Sequence, residues 1–175
     1  VAKTDLAAEN LEALEKGIPN LLRHVSNIKD VFGLPSVVAI NRFPTDTDAE
    51  IALIIEKCKE LGVNVVLSTV WAEGGAGGVE LAKEVVRLCE QENHFAYCYD
   101  LDQPITDKIE AIVKKIYRGA GVTWGAGVKK QIARLTELGF GSLPICMAKT
   151  QYSFSDNAKK LGAPEGFKVT VRNVK

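Results

Sequence analysis

The chain has no excess of charge of either sign, because its 22 basic and 22 acidic residues cancel. No overall field therefore attracts it to nucleic acid or to an anionic membrane, and any site for a polyanion has to be local. Long apolar runs are also missing, since stretches such as VVAI and NVVLSTV fall far short of the roughly 20 residues that span a bilayer. The N-terminus lacks a signal-peptide pattern, so we expect a cytoplasmic protein with no membrane or nucleic-acid partner.

The sequence shows few signs of a structural metal site or of disulfide bonds. It has two histidines, His24 and His94, and no clustered ligands, so we expect no metal site. No C-x-x-C occurs, and each cysteine lies in an apolar segment, which predicts buried, reduced thiols. The four cysteines are Cys58, Cys89, Cys98 and Cys146.

Hydrophobic residues make up 46% of the 175 residues, which suffices for a real core in a chain the size of one domain. Short apolar runs bounded by turn residues predict buried strands. The predicted strands are residues 37–41, 63–68, 95–100 and 144–149.

Helical periodicity fills the intervals between these runs. Residues 11–28 keep a period near 3.6, although Gly17 and Pro19 should kink or restart that helix. Thr47 to Glu50 has the form of a capping box that opens a helix ending at Gly62. Three further helices are predicted, over 78–92, 104–118 and 126–138. The side chains predicted to face inward are Leu81, Val85, Leu88 and Cys89 in the first, Ile109, Ile112, Val113 and Ile116 in the second, and Val128, Ile132, Leu135 and Leu138 in the third.

Alternating strands and helices predict an α/β fold, with a mostly parallel sheet covered by helices on both faces in a Rossmann-like layered arrangement. Such sheets bind ligands at the carboxyl ends of their strands. Aromatic rings, cationic groups and hydroxyls follow the predicted strands, and this combination suits a flat heteroaromatic ligand that carries negative charge. These residues are Asn41, Arg42, Phe43 and Pro44, then Thr69, Trp71 and Glu73 with GGAGG, then Tyr99 and Asp100, and finally Lys149, Thr150, Gln151 and Tyr152.

Each of these signals also has an ordinary structural explanation. Phe43 or Trp71 alone can pack a loop, and Asp46 and Asp48 can be cap and first-turn acids. Lys149 can form a surface ion pair of little value. The EGGAGG segment can be a flexible turn, because it lacks the endings of a P-loop or a dinucleotide site, although its backbone N–H groups can still hold an anion.

Four long segments, VVAINRFPTDTDAE, WAEGGAGGVELA, DKIEAIVKKIYRGAGV and GFGSLPICMAKTQYSFSDN, together resemble formate tetrahydrofolate ligase, also called 10-formyltetrahydrofolate synthetase. The similarity runs nearly end to end, and TQYSFSDN resembles the bacterial single-function form. The resemblance implies ATP-dependent joining of formate to tetrahydrofolate through a formyl phosphate, whose carbonyl the folate N10 attacks. It also implies Mg with the ATP, a monovalent cation in the parent enzyme and a homotetramer.

The resemblance also implies that this chain is a fragment of a larger multidomain P-loop enzyme. No GxxxxGK[ST] occurs in these residues, whereas the family carries its P-loop in an N-terminal portion. The end at VTVRNVK looks like a cut through continuing sequence. We therefore expect an α/β domain with the folate-side pocket over residues 1–150 and the start of a following segment over 151–175. Such a fragment should not catalyse alone.

Carried over residue by residue, the motif NRFP implies that Phe43 and Pro44 hold the folate ring system, and WAEGG implies that Trp71 lies on its other side. Leu67 matches an apolar position that lines the same pocket. Weaker expectations of ligand orientation or anion contact fall on Asn41, Arg42, Glu73, Gly74, Gly75, Lys149 and Gln151.

Two rival functions come from other classes. AINRFPTD superficially resembles the N-K-x-D guanine reader of P-loop GTPases, but Arg42 replaces the lysine and Pro44 stands where the aspartate should be. The other rival is a non-catalytic binding or oligomerisation module of a P-loop NTPase, in which Phe43 and Trp71 form a contact between chains. Packing of both rings against another chain would favour that rival.

Overall fold

The computed structural model describes residue 1 and residues 3–175, and the chain divides into two units, Val1–Phe95 and Ala96–Lys175. We call them unit 1 and unit 2. The predicted boundary after residue 150 concerns the parent protein and stays a prediction. No helix within the described residues has the length and apolar content needed to cross a bilayer.

Unit 1 begins with a short 3-10 turn, Lys3–Asp5, and the helix α1, Leu11–Ser26, which continues into a π-helical turn, Asn27–Val31. Asn10 caps α1 by accepting a hydrogen bond from the Ala13 N–H at 2.9 Å. The predicted restart at Gly17 and Pro19 is wrong, because α1 runs through both residues. Both are exposed, while Ile18 between them is buried, so the packed face of the helix is uninterrupted.

The sheet of unit 1 has two parallel strands, β1 at Val37–Asn41 and β2 at Asn64–Ser68, paired from Val37 opposite Asn64 to Asn41 opposite Ser68. Both strands were predicted. The helix α2, Asp48–Glu60, joins them, and its predicted capping box is confirmed by hydrogen bonds between Thr47 and Glu50. Glu50 also accepts from the Asn10 N–H at 3.0 Å, and these backbone donors lower the pKa of its carboxyl.

After β2 come the single-turn helix α3, Val70–Glu73, a 3-10 turn, Gly74–Gly78, and the helix α4, Val79–Cys89. The helix prediction is confirmed, but Val85 and Cys89 are exposed rather than inward. The covered side of α4 includes Glu84, whose carboxylate accepts from the Asn64 side chain at 2.8 Å. Leu81, Glu84 and Leu88, at helical spacing, form the covered side, and Val85 lies outside it.

Unit 2 contains the helix α5, Ile105–Ala111, with a π-helical turn, Ile112–Ile116, and the helix α6, Val128–Glu137. These confirm the two remaining predicted helices, although Leu138 is half exposed rather than inward. Its sheet pairs two parallel strands, β3 at Gly121–Trp124 and β4 at Lys168–Val171.

The strands predicted over 95–100 and 144–149 are wrong, because both segments are irregular. Their apolar side chains serve other purposes. Phe95 and Tyr97 are exposed, while Ile145 and Met147 pack against the core without joining a ladder. The α/β class with parallel strands is confirmed, but the described strands form two separate two-stranded sheets rather than one.

Among the described residues, two clusters of buried apolar side chains lie in unit 2. The first consists of Ile105, Ile109, Val128, Ile132 and Val171, and the second of Val113, Phe154, Phe167 and Val169. Lys108 is buried as completely as these side chains, and its ammonium donates to the Gly141 and Leu143 carbonyls at 2.7 and 3.1 Å. These bonds satisfy a buried charge and anchor the loop after α6.

All four cysteines are free, but the prediction that each is buried holds for Cys58 and Cys98 alone. Cys89 is exposed because it lies at the end of α4 on the uncovered side, and Cys146 is exposed in the irregular segment 144–149. Burial raises the pKa of the Cys58 and Cys98 thiols.

Candidate functional site

The carboxyl ends of β1 and β2 lie side by side because the strands are parallel and end in register, Asn41 opposite Ser68. The Arg42 N–H donates to the Ser68 carbonyl at 3.1 Å, which extends the pairing by one residue. The loops that follow, residues 42–47 and 69–78, therefore start from adjacent points at one edge of the sheet. The candidate site of unit 1 lies on these two loops.

Phe43 and Trp71 form an aromatic pair on this edge. Their ring centroids are 6.3 Å apart and the ring planes are inclined by 45°. Phe43 is 46% exposed and Trp71 is 65% exposed, so neither ring belongs to a core. Pro44 beside them is exposed, and Leu67 of β2 is half-buried. The strand ends thus present two large apolar rings to solvent, next to each other.

A tight turn sets the backbone of Phe43. The Asp46 N–H donates to the Phe43 carbonyl at 3.0 Å, and the Asp46 carboxylate accepts from the Phe43 N–H at 2.8 Å. Pro44 occupies the second position of this four-residue turn, where its fixed φ is favourable. The side chain of Asp46 therefore closes the turn from the other side.

The loop that carries Trp71 is closed by Thr69. Its N–H donates to the Gly77 carbonyl at 3.1 Å, and its hydroxyl donates to the Glu73 carboxylate at 2.8 Å. A Cβ at Gly77 would stand 2.5 Å from the Thr69 carbonyl carbon, so this close approach requires glycine. Gly74, at φ +61°, ends α3, and its N–H donates to the Val70 carbonyl.

The polar residues beside the aromatic pair differ in how free they are to bind a ligand. The Arg42 guanidinium lies 2.8 Å from the Asp48 carboxylate at the start of α2, so its charge is partly compensated. Asn41 and Gly75 are exposed. These positions are compatible with ligand contacts, which stay predictions.

Lys149 and Gln151 belong to unit 2 and do not follow a strand. The Lys149 ammonium donates to the Thr150 and Ser153 carbonyls and lies 4.9 Å from the centre of the Tyr117 ring. Burial lowers the pKa of Lys149, against an opposing effect of Asp156. The ammonium thus stabilises its own loop. Gln151 is exposed.

The other predicted strand-end groups in unit 2 are dispersed in the same way. The Tyr99 hydroxyl accepts from the Ile145 N–H at 2.8 Å, which is a structural bond between two irregular segments. Asp100 and Tyr152 are exposed.

A family model for formate–tetrahydrofolate ligase matches residues 1–175. The chain belongs to this family. The resemblance carried by the four long segments is thereby confirmed, and the match extends over the whole sequence. Formate–tetrahydrofolate ligase is an enzyme of one-carbon metabolism with small-molecule substrates, and membership implies that the parent enzyme uses tetrahydrofolate and ATP with Mg.

Two residues that fix the loops of this ligase family member, Asp46 and Gly77, were not predicted from the sequence. Asp46 was interpreted as a cap or first-turn acid, but it closes the Phe43 turn. The sequence does not distinguish Gly77 from the other glycines of GGAGG, but in the structure its close approach to the Thr69 backbone leaves no room for a side chain. An acid two residues after a proline is a usable turn signal, whereas the role of Gly77 depends on a backbone closure that no local pattern encodes.

Proposed function

We propose that this chain supplies the folate-binding part of a formate–tetrahydrofolate ligase, with the pterin ring of tetrahydrofolate held by Phe43 and Trp71. The observation that carries the proposal is the exposed aromatic pair at neighbouring strand ends. Large rings left in solvent cost hydrophobic free energy, and a flat heteroaromatic ligand that covers them recovers it.

The distance between the rings adds a condition. A pterin between two parallel rings needs two contact gaps of roughly 3.5 Å, hence about 7 Å between the ring planes. The centroids are 6.3 Å apart and the planes are inclined by 45°, so the rings have to move slightly apart and become parallel when the ligand enters. Trp71 is 65% exposed, and exposed side chains change rotamer rapidly.

The parent reaction assigns different chemistry to different parts of the enzyme. ATP phosphorylates formate, and N10 of tetrahydrofolate attacks the carbonyl of the resulting formyl phosphate. In this proposal the chain orients the folate for that attack. Asn41 ends β1, and Arg42, Glu73, Gly74 and Gly75 lie on the same two loops as the rings; all five are proposed to orient the ligand or contact its anionic groups.

Pro44 and Leu67 complete the apolar lining of the proposed site. Pro44 is exposed next to Phe43, and Leu67 precedes the last residue of β2. For Lys149 and Gln151 of unit 2, ligand orientation or anion contact remains a separate proposal.

ATP activation is proposed to depend on residues outside this chain. Phosphoryl transfer in P-loop enzymes needs a loop of backbone N–H groups and a lysine around the phosphates, and no GxxxxGK[ST] occurs in the 175 residues. The isolated chain should therefore show no measurable ATP affinity by calorimetry and no ligase turnover. Tight ATP binding would refute this part of the proposal. A cytoplasmic homotetramer remains the proposed state of the parent enzyme.

Steady-state kinetics of the parent ligase test the folate site. Trp71→Ala should weaken folate binding by about 1–3 kcal/mol, by analogy with base stacking on an aromatic ring. The folate KM should rise roughly tenfold or more, while the formate and ATP KM values change far less. Phe43→Ala should act in the same direction, and the double variant should be less than additive because each ring holds the ligand for the other.

Tyr97→Ala is the control, because Tyr97 is also an exposed aromatic residue, at 74%, and belongs to unit 2. It should leave all three KM values unchanged. A change of oligomeric mass in Trp71→Ala, with an unchanged folate KM, would instead show that the rings form a contact between chains.

A further inference from the structure

Each ring of the aromatic pair lies on a loop that one carboxylate closes. Asp46 accepts from the Phe43 N–H at 2.8 Å, and Glu73 accepts from the Thr69 hydroxyl at 2.8 Å, two residues before Trp71. Among the residues that the structure describes, neither carboxylate forms an ion pair. The hydrogen bonds that the structure shows for these two carboxylates are therefore local ones, which close the loops that carry Phe43 and Trp71.

We propose that Asp46 and Glu73 are positioning residues that hold the two loops carrying Phe43 and Trp71 in place before tetrahydrofolate binds, so that side-chain rotation is the main adjustment left to the rings. This inference rests on the proposed folate site. The acids contact the loops and act on the substrate through the two rings.

The loop that carries Trp71 needs stabilising side-chain bonds because its helical segment is very short. The helix α3 has four residues, and one helical turn is unstable alone since nucleation is costly. Besides the Ala72 and Glu73 N–H groups, which donate to the Thr69 carbonyl, the turn is held by the Thr69 N–H on the Gly77 carbonyl and by the Thr69 hydroxyl on the Glu73 carboxylate. Without the bond to the Glu73 carboxylate, Trp71 samples more conformations, and ordering it on binding costs affinity.

The same reasoning applies to Phe43 with one difference. Like the Trp71 loop, its turn has a backbone bond, here from the Asp46 N–H to the Phe43 carbonyl, but it also has a proline at the second position, which fixes φ. The Asp46 carboxylate adds a second closure, so its removal should have the smaller effect of the two. The order of effects, Glu73 before Asp46, is itself part of the proposal.

A direct contact between the Glu73 carboxylate and the substrate is the competing explanation. The two differ in one respect that a double-mutant cycle measures. A positioning residue loses its effect on folate when Trp71 is removed, whereas a direct contact keeps its effect.

The test is the folate KM of the parent ligase. Glu73→Ala should raise it about threefold to tenfold, the size of one net hydrogen bond, with little change in kcat. Glu73→Gln and Asp46→Asn keep an acceptor oxygen and should restore values near wild type. In a Trp71→Ala background, Glu73→Ala should add nothing, and a full additional effect there would overturn the proposal.

A second readout needs no substrate. The chain has two tryptophans, and Trp124→Phe leaves Trp71 as its sole tryptophan, which excitation at the red edge of the absorption band selects over tyrosine. Glu73→Ala in that background should increase quenching of Trp71 emission by acrylamide, while Glu80→Ala, which removes an exposed acid paired with Lys83, should not. Unchanged quenching would refute the positioning role. An unchanged folate KM in Trp71→Ala would refute the folate site instead, so the two failures are distinguishable.

Discussion

The two units use the same small sheet in different ways. Each has two parallel strands, but β1 and β2 of unit 1 are mostly half-buried, whereas β4 of unit 2 alternates between exposed and buried residues over the two core clusters. The exposed aromatic pair is in unit 1. The family segments of unit 1 therefore present an aromatic pair to solvent, while those of unit 2 contribute Ile109, Val113 and Phe154 to the two core clusters.

TQYSFSDN illustrates the second behaviour. Ser153, Phe154 and Ser155 are buried, and the Ser153 and Ser155 hydroxyls are 3.0 Å apart. Lys149 donates to two carbonyls of the same segment. A family motif can thus be a structural loop as well as a ligand site, and the distinction is made by where its polar atoms are bonded.

The largest expected effect is in the core of unit 2. Ile109→Ala should lower the free energy of unfolding by about 2–5 kcal/mol, because Ile109 is 2% exposed within the first cluster. The control Val85→Ala in unit 1, at 43% exposure, should change it by no more than about 0.5 kcal/mol. Urea unfolding measures both. Equal losses would contradict the contrast between the units.

The next effect concerns the buried charge of unit 2. Lys108→Met should cost about 1–3 kcal/mol, because the Gly141 and Leu143 carbonyls lose their donor. Hydrogen exchange should accelerate over residues 140–144. Lys130→Met, at an exposed position, is the control. Equal free energies of unfolding for the two variants would show that the Lys108 hydrogen bonds do not stabilise the fold.

A smaller, pH-dependent effect belongs to unit 1. Hydrogen bonds from Arg87 and Asn64 lower the pKa of Glu84 to about 2. Because the folded pKa is lowered, the stabilisation is fully present above the ordinary value of 4.5 and is lost as pH falls through about 2. Carboxyl NMR titration of Arg87→Ala should show the Glu84 pKa moving back upward. An unmoved pKa would show that Arg87 is not its cause.

The sequence predicts elements whose signals are local. The capping box of α2 and the apolar run of β1 are complete within a few residues, and both are confirmed. The strands β3 and β4 have four residues each and pair across a long separation, so the alternation in KVTV of β4 is too short to be a strong signal. In 144–149 the apolar content correctly indicates partial burial of Ile145 and Met147 but says nothing about hydrogen bonding.

The candidate site divides in the same way. The proximity of Phe43 and Trp71 follows from the rule that parallel strands end at one edge, and the sequence places both just after strands. The inclination of the rings depends on how Asp46 and Thr69 close their loops, which requires the folded backbone. Lys149 was predicted at a strand end because its apolar segment was interpreted as a strand.

The central claim is that the exposed pair of unit 1 binds the folate ring rather than stabilising the fold. The most direct test measures the tetrahydrofolate Kd and the free energy of unfolding on the same preparation of Trp71→Ala parent ligase. If Trp71 stacks on the folate ring, the Kd should weaken roughly tenfold or more, and the free energy of unfolding should change by less than about 0.5 kcal/mol. A large loss of stability with an unchanged Kd would contradict it and make Trp71 a packing residue.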